Sequence, residues 1–302
     1  MMKKLLFVFN PHSGTGQIKP RLLEIIDTFV KAGYDVTAYP TQRQRDAYDK
    51  VVEVGQFYDA IVCSGGDGTL DETVSGMMTA GLYTPLGYIP AGSTNDFANS
   101  LQIPKNMIKA AQIAVSGEPF LCDVGQLNDE TFVYVAAFGL FTNVSYQTSQ
   151  GLKNILGHAA YILEGAKQIT NVPSYHVVVE ANGKRYEETL IYGMVSNSKS
   201  VGGMTNLTGK GVELDDGLFE VTLVRKPRNP IEWNATLACL VAQQADSDHV
   251  YSIKAEKVTF QFDEAIPWTV DGEYGGAYKN VTINNINQRV PIRVKMERKS
   301  IG

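Results

Sequence analysis

Short apolar runs alternate with segments of helical spacing in the first part of the chain. Strands are predicted at residues 4–9, 34–39, 59–63 and 85–89, where brief apolar runs are bounded by glycine, proline or polar residues. Helices are predicted at residues 19–31, 46–56, 70–82, 95–101 and 104–116, where apolar residues recur every three or four positions. Strands that alternate with helices predict a parallel, doubly wound sheet.

The pattern changes near residue 123. Strands are predicted at residues 131–138, 175–181, 184–196, 219–225, 257–262, 277–283 and 290–296, with helices only at 152–169 and 231–244. Asn182-Gly183 is typical of a type I′ hairpin turn. We therefore predict an α/β domain at residues 1–125 and an antiparallel β-sandwich domain at 126–302, whose last strand could pack back on the first domain.

Composition limits the classes of function. The 302 residues carry a net charge of −5, which excludes a generally basic surface for nucleic acid. Cys63, Cys122 and Cys239 lie inside apolar runs, as buried thiols of a reducing compartment do. The apolar run at residues 5–9 is too short for a signal peptide, and no run reaches the ~18 residues of a membrane span. A cytoplasmic protein without a transmembrane segment is expected, and the sequence leaves its oligomeric state open, a homodimer included.

The turns that follow the predicted parallel strands share one edge of the sheet. Parallel sheets bind ligands at the carboxyl ends of their strands. The turns that contain Asn10, Thr41, Asp67 and Thr94 all follow such ends. Four turns that are distant in sequence are therefore expected to form one site.

The strongest single motif is the turn Ser64-Gly65-Gly66-Asp67-Gly68-Thr69 between a strand and a helix. Its three glycines lack Cβ atoms, so that main-chain N–H groups can approach an anion closely. Thr69 adds a hydroxyl group. Asp67 would repel a phosphate unless a cation or a proton transfer is involved, so the motif indicates Mg²⁺-dependent phosphoryl transfer.

Two neighbouring turns add candidate ligands. The loop after the first strand offers an amide, a hydroxyl and backbone donors, although a plain turn would use the same residue types: Asn10, Pro11, His12, Ser13 and Gly14. His12 has no role of its own in this interpretation. In the third turn Ser93 and Thr94 form a second phosphate loop, and Asp96 either caps the next helix or joins Asp67 in a carboxylate pair beside the phosphates.

Five motifs in this order resemble a known family: FNPHSGTG at 9–16, SGGDGT at 64–69, IPAGSTNDFANSL at 89–101, ELDDGLFEV at 213–221 and TVDGE at 269–273. The set resembles the soluble bacterial lipid kinases with a diacylglycerol kinase catalytic domain, whose first domain is similar to that of NAD kinase and phosphofructokinase. The resemblance implies ATP and Mg²⁺ as cofactors. It also implies a lipid substrate, most simply diacylglycerol, reached peripherally at the inner membrane face.

The resemblance also implies roles for individual residues. Nucleotide contacts are expected from the four turns, at Asn10, Pro11, His12, Ser13, Gly14, Thr41, Gly65, Gly66, Asp67, Gly68, Thr69, Leu70, Asp71 and Thr94. Asp96 would lie between nucleotide and lipid. A structural Mg²⁺ would be bound by the Asp216 carboxylate and by main-chain oxygens of Glu213 and Leu218. Asp271 or Glu273 would approach the γ-phosphate across an interdomain cleft and act as the base, and the sequence does not decide between them.

An apolar pocket for the acceptor is expected between the domains, although ordinary core packing explains each candidate equally well. The candidates are Phe138, Leu140, Phe141, Leu152, Ile155, Leu156, Tyr161 and Ile162. Two rival functions remain: a kinase for a small molecule such as NAD or a sugar phosphate, in which the GGDGT turn also occurs, and a catalytically inactive sensor of nucleotide or lipid.

Overall fold

The computed structural model describes residues 2–14, 16–140, 172–201, 204–205, 211–241 and 247–295, without the side chains of residues 204, 205, 237 and 241. Its Cα positions divide into two compact units. The first comprises Met1–Cys122 and Gln288–Gly302, and the second comprises Asp123–Asn287.

Four parallel strands form the centre of the first unit. They are β1 (Lys3–Phe9), β2 (Tyr34–Pro40), β3 (Ala60–Gly65) and β4 (Leu86–Pro90). β1 pairs with β2 and β3, and β3 pairs with β4, so that the order is β2-β1-β3-β4. Every residue of β3 and β4 is buried, which is typical of parallel strands covered on both faces.

Helices connect these strands. They are α1 (Leu22–Lys31), α2 (Asp46–Val54), α3 (Asp67–Thr79), α4 (Asp96–Ser100) and α5 (Met107–Ser116), with short 3₁₀ turns at Lys19–Arg21 and Gly55–Phe57. α1 packs on α5 and β2, whereas α2 packs on α3. α1 is amphipathic: Ile25 and Phe29 are buried, whereas Leu23 is 81% exposed.

The end of the chain returns to the first unit, so the division differs from the predicted boundary between residues 125 and 126. Ile292 pairs in parallel with Leu86 of β4. Arg289 donates to the carbonyl oxygen of Leu82 at 2.8 Å, and Arg293 donates to that of Val115 at 3.1 Å. These contacts hold the last strand in the first unit.

The second unit is built from antiparallel strands. Its strands and its helix are β5 (Glu118–Leu127), β6 (Glu130–Phe132), β7 (Val135–Gly139), β8 (Tyr175–Ala181), β9 (Lys184–Ser196), β10 (Ser200–Val201), β11 (Met204–Thr205), β12 (Phe219–Arg225), α6 (Pro230–Val241), β13 (Val250–Ala255), β14 (Lys257–Val270) and β15 (Glu273–Val294). β5 and β15 begin or end in the first unit. The long strands β9 and β14 each pair with both β7 and β8.

A cluster of aromatic rings fills the interior of the second unit. The Trp268 and Phe262 rings each lie 4.9 Å from the ring of Phe138, centroid to centroid. Phe260 contacts the same tryptophan at 5.2 Å. Such ring contacts add to the free energy gained by burying the apolar surface.

The sequence predicts a hairpin turn at Asn182-Gly183, and the structure forms it. Asn182 and Gly183 have φ values of 53° and 71°, as a type I′ turn requires, which confirms the predicted hairpin between β8 and β9. β14 and β15 are longer than predicted. β14 continues past residue 262 through an irregular stretch that includes Pro267, and β15 joins two predicted strands through a bend at Gln288, where φ is 50°.

Candidate active site

The turn after β1 is fastened to β3 by its first residue. The main-chain N–H of Asn10 donates to the Ser64 carbonyl at 2.8 Å, and the Asn10 side chain accepts the N–H of His12 at 2.9 Å. An asparagine that bonds the main chain two residues later stabilises a tight turn. The Asn10 amide therefore shapes the loop, and the His12 side chain has no part in that bond.

The same turn contacts the other two glycine-containing turns. The hydroxyl oxygen of Ser13 accepts the N–H of Gly66 at 2.8 Å. Gly14 has a φ of +59°, and a Cβ atom there would lie 2.5 Å from the carbonyl oxygen of Ala91. Position 14 therefore requires glycine for both its conformation and its close approach.

The turns after β3 and β4 are in direct contact. The N–H groups of Ala91 and Gly92 both donate to the Gly65 carbonyl, at 2.7 and 3.2 Å. A Cβ atom on Gly92 would lie 2.6 Å from the Cα atom of Gly66. The structure thus brings together the three turns, while Thr41 continues the ladder between β2 and β1 by donating its N–H to Phe9 at 2.9 Å.

Two polar side chains beneath this contact fasten the turns, and neither was assigned a role from the sequence. Asn95 is buried with a φ of +54°; its side chain accepts the Gly92 N–H at 2.9 Å and donates to the Gly92 carbonyl at 2.8 Å. The buried Tyr88 hydroxyl donates to the Gly65 carbonyl at 3.3 Å and lies 3.4 Å from the Asn95 amide oxygen. A tyrosine in a fully buried strand was the available signal, because a buried phenol needs a partner.

Asp67 is the first residue of α3, three positions before the predicted start of that helix. Its carboxylate accepts the N–H of Asp96 at 3.3 Å and that of Phe97 at 3.4 Å. Both bonds are longer than the usual distance of about 2.9 Å. The acid therefore faces the start of α4, and the side chain of Asp96 is buried beside it, 1% exposed.

The first turn of α3 positions the remaining predicted contacts. The Thr69 and Leu70 side chains are buried, and a Cβ atom on Gly65 would meet the Thr69 side chain. Leu70 packs in the core, so any contact that it makes with a ligand has to come from its main chain. The neighbouring Glu72 caps α2 by accepting the N–H groups of Arg45 and Ala47 at 2.8 and 3.2 Å.

Burial also governs the acid–base properties beneath the turns. Burial raises the pKa of the Cys63 thiol to about 12. Burial also raises the pKa of the Tyr88 phenol, and the charge of Asp67 adds to the effect. Both groups are therefore uncharged at neutral pH.

In the second unit, the loop at residues 213–218 is fastened by two aspartates. The Asp216 carboxylate accepts the N–H of Leu218 at 3.0 Å. The buried carboxylate of Asp123 accepts the N–H of Gly217 at 2.7 Å, and the main chain of Asp123 donates to Leu214 at 2.8 Å. The sequence predicts no role for Asp123, because it lies 94 residues before Gly217 in the chain.

The ammonium group of Lys254 lies at the same loop. Its Nζ donates to the Gly211 carbonyl at 2.8 Å and lies 3.2 Å from Glu220 and 3.5 Å from Asp216. Burial raises the pKa of the Glu220 carboxyl to about 7, although Lys254 opposes that shift. Among the residues that the structure describes, no group of three or more His, Cys, Asp or Glu side chains is arranged to hold a metal ion.

The turn between β14 and β15 separates the two candidate bases. Asp271 and Gly272 have φ values of 48° and 87°, as in a two-residue type I′ turn. The buried Asp271 carboxylate accepts three main-chain N–H groups, those of Val133, Tyr134 and Val135, at 2.6–3.1 Å. Glu273, the first residue of β15, is exposed. The two acids therefore have different surroundings.

The predicted acceptor pocket is only partly covered by the described residues. Phe138 is fully buried within the ring cluster of the second unit, so core packing accounts for it. Leu140 donates its N–H to Ile191 at 2.8 Å. Six candidates lie outside the described residues: Phe141, Leu152, Ile155, Leu156, Tyr161 and Ile162. The predicted helix at residues 152–169 lies outside them as well.

No helix in the described part of the chain has the length and apolar character needed to cross a bilayer.

Comparison with known proteins covers almost the whole chain. Residues 4–127 match the family model described as the diacylglycerol kinase catalytic domain, and residues 135–292 match that of the YegS C-terminal NAD kinase β-sandwich-like domain. The chain is 31% identical to a diacylglycerol kinase of Bacillus subtilis over 94% of each chain. It is also 31% identical to a diacylglycerol kinase of Staphylococcus carnosus, over 91% of this chain and 90% of the relative.

Solved structures share the fold. A crystal structure of a diacylglycerol kinase from Bacillus anthracis aligns with a TM-score of 0.76 and 20% identity over 97% of both chains. A second structure from that organism aligns with a TM-score of 0.83 and 24% identity over 97% of this chain and 96% of the other. With an amino-terminal catalytic domain and a carboxy-terminal β-sandwich domain, this chain belongs to the diacylglycerol kinase family of lipid kinases.

Proposed function

We propose that this protein transfers the γ-phosphate of ATP, in the presence of Mg²⁺, to the free hydroxyl of diacylglycerol to give phosphatidic acid. The observation that carries the proposal is the contact between three turns of the first unit, in a chain that is 31% identical to a named diacylglycerol kinase over 94% of its length. The parallel strand order and the two helix pairs support a doubly wound sheet, which binds ligands at this edge.

The nucleotide is assigned to the three turns and to Thr41. Gly66 and Gly92 lack side chains where the turns approach each other, and a larger residue would hold them apart. Main-chain N–H groups at the start of α3 can face the phosphates, because the positive end of a helix favours anions. The proposed contacts are Asn10, Pro11, Ser13, Gly14, Thr41, Gly65, Gly66, Gly68, Thr69, Leu70, Asp71 and Thr94.

Asp67 is assigned to holding the Mg²⁺ that would neutralise charge at the transferred phosphate. Its hydrogen bonds to the N–H groups of Asp96 and Phe97 are long, at 3.3 and 3.4 Å, so the carboxylate can exchange these two bonds at modest cost for a Mg²⁺ ion that accompanies ATP. That ion neutralises charge on the phosphate oxygens when it is bound. Asp96 is assigned to orienting the acceptor beside Asp67.

Glu273 is the better candidate for the base that accepts the proton of the lipid hydroxyl. A general base needs lone pairs that can reach the substrate, and three main-chain N–H groups already bond the Asp271 carboxylate. Glu273, the residue that follows the turn, has an exposed side chain. We therefore assign the proton transfer to Glu273 and the shaping of the turn to Asp271.

Because diacylglycerol is held in membranes, the enzyme has to reach it at the membrane surface. We infer a cytoplasmic protein in peripheral contact with the inner membrane face. Self-association as a homodimer stays a prediction that sedimentation can test.

A transfer assay tests the proposal. The protein is incubated with radiolabelled ATP, Mg²⁺ and detergent-dispersed diacylglycerol, ceramide, sphingosine, NAD or fructose 6-phosphate. We expect label in phosphatidic acid, loss of that label in Asp67→Ala, and retention in Asp27→Asn, an exposed acid of α1 that pairs with Lys31 at 2.6 Å.

Two results would contradict the proposal. Labelling of NAD or the sugar phosphate without any lipid would identify a small-molecule kinase. ATP binding without transfer to any acceptor would identify a sensor.

A further inference from the structure

Lys254 is held among oxygen atoms at the loop where the family resemblance implies a structural Mg²⁺. Among the residues that the structure describes, three oxygen atoms are its polar neighbours: the Gly211 carbonyl oxygen at 2.8 Å, a Glu220 carboxylate oxygen at 3.2 Å and an Asp216 carboxylate oxygen at 3.5 Å. An ammonium group has three donors, and three oxygens surround this one. Lys254 lies directly opposite Glu220 in the ladder between β12 and β13, so the strand register fixes its position.

The protein itself also satisfies the main chain of the loop. Asp123 accepts the N–H of Gly217 at 2.7 Å, and Asp216 accepts that of Leu218 at 3.0 Å. Asn285 donates to the same Asp123 oxygen at 3.3 Å. The turn is therefore closed by Asp216 within the loop and by Asp123 from a distant segment, and Asn285 from a second distant segment bonds Asp123 in turn.

This arrangement does not fit a bound Mg²⁺. The ion requires oxygen ligands at about 2.0–2.1 Å in octahedral geometry. The Asp216 carboxylate uses one oxygen for the Leu218 N–H and turns the other towards Lys254. A divalent cation on that oxygen would lie close to the ammonium charge, which repels it.

We propose that the ammonium group of Lys254, and not a divalent cation, is the positive charge that holds the loop at residues 211–218 against β12 and β13. The loop then needs no metal ion to fold. The magnesium requirement of phosphate transfer is confined to the ion that accompanies ATP.

Thermal unfolding without ATP or lipid tests this inference independently of the kinase assignment. The protein is unfolded in EDTA and in millimolar MgCl₂ at matched ionic strength. We expect the same Tm in both buffers for the parent protein. We expect Lys254→Met to lower the Tm by roughly 5–10 °C in EDTA, because it leaves the Glu220 carboxylate buried beside Asp216 without its cation.

Lys279→Met is the matched control, since Lys279 is an exposed lysine of β15 in the same unit, and its Tm should equal that of the parent. Asp216→Asn is the second comparison. We expect a small fall in Tm that is the same with and without Mg²⁺.

A titration of the parent protein with Mn²⁺, followed by electron paramagnetic resonance, keeps the test decisive if Lys254→Met does not fold. We expect no bound Mn²⁺ in the absence of ATP. The inference is overturned by one bound Mn²⁺, or by a saturable Mg²⁺-dependent rise in Tm, that is lost in Asp216→Asn. It is also overturned if Lys254→Met matches the parent in Tm.

Discussion

Asp67 in the first unit and Asp271 in the second are both acids that accept main-chain N–H groups at a turn, yet the bonds differ. The bonds that Asp67 receives from the N–H groups of Asp96 and Phe97, at the start of α4, are long, at 3.3 and 3.4 Å. Asp271 receives three bonds, the shortest of 2.6 Å, from three consecutive residues. A carboxylate with strong main-chain bonds is costly to redirect, whereas one with weak bonds can turn to a cation or a substrate.

The comparison shows how an acid that acts on a ligand can be told from an acid that only holds the main chain, when both belong to a turn with glycine. Both aspartates lie next to glycine, and both would be candidates by residue type alone. The difference in their hydrogen bonds supports our proposal that Asp67 holds the Mg²⁺ that accompanies ATP, whereas Asp271 holds the chain between β14 and β15.

The largest expected effect is the loss of phosphate transfer when Asp67 is replaced. Asp67→Asn removes the negative charge and keeps an oxygen for only one of the N–H groups of Asp96 and Phe97, because each bonds a different carboxylate oxygen; both bonds are long, so the fold should persist. Phosphate transfer should fall about 10²–10⁴-fold with little change in Tm. Initial rates and a thermal scan measure both, with Asp27→Asn as the control. If the activity of Asp67→Asn stays within tenfold of the parent, the proposed difference in role between Asp67 and Asp271 is wrong.

The next prediction distinguishes the role of Glu273 from that of Asp271 by the effect of each substitution on kcat and on Tm. Glu273→Gln should reduce kcat about 10²–10⁴-fold while the Tm stays the same, because Glu273 is exposed. Asp271→Asn should cost about 1–3 kcal/mol of unfolding free energy, since an amide cannot accept all three N–H groups, and the Tm should fall by roughly 2–10 °C.

The exposed acid Asp263 provides the control as Asp263→Asn. The assignment reverses if Asp271→Asn is stable and inactive while Glu273→Gln retains full activity.

A smaller effect, on the KM for ATP, is expected from a substitution at the contact between the turns of the first unit. Gly92→Ala would place a methyl group 2.6 Å from Gly66 Cα and 2.8 Å from the Asn95 amide oxygen, so the turns must move apart. We expect the KM for ATP to rise about tenfold, which corresponds to about 1.4 kcal/mol of binding free energy.

Gly81→Ala is the matched control for this change. A Cβ atom at Gly81 meets nothing within 4 Å, but its φ of +65° is strained for alanine. It should lower stability by about 1 kcal/mol and leave the KM for ATP unchanged. An unchanged KM in Gly92→Ala would show that contact between the turns does not matter for ATP.

The smallest effect concerns thiol reactivity in the two units. Cys63 is buried and its pKa is raised to about 12, whereas Cys239 of α6 is partly exposed. A disulfide reagent at mildly alkaline pH should label Cys239 first and Cys63 only on unfolding. Because the folded pKa lies above the unfolded value of 9.0, the stabilisation from the neutral thiol is complete below pH 9 and is lost as the pH rises towards 12. Rapid labelling of Cys63 in Cys239→Ser would contradict this.

Much of the first unit could be predicted from the sequence, because alternation of apolar strands and amphipathic helices fixes parallel order and places the turns at one edge. The contribution of Tyr88 could not be predicted, since it depends on a hydroxyl that reaches the carbonyl of Gly65, 23 residues away. In the second unit, the sequence indicated two separate strands where one long β15 continues through a bend at Gln288.

The sequence by itself determined the family, the two kinds of sheet and the turns that carry the chemistry, because apolar periodicity and glycine placement are local properties of the chain. Only the tertiary structure decided which acids are bound by main-chain N–H groups and which cation faces Asp216. Those outcomes depend on contacts such as Asp271 with Val133 and Lys254 with Asp216, which join residues 138 and 38 positions apart. No local pattern encodes them, since the strand register that creates them is a property of the folded sheet.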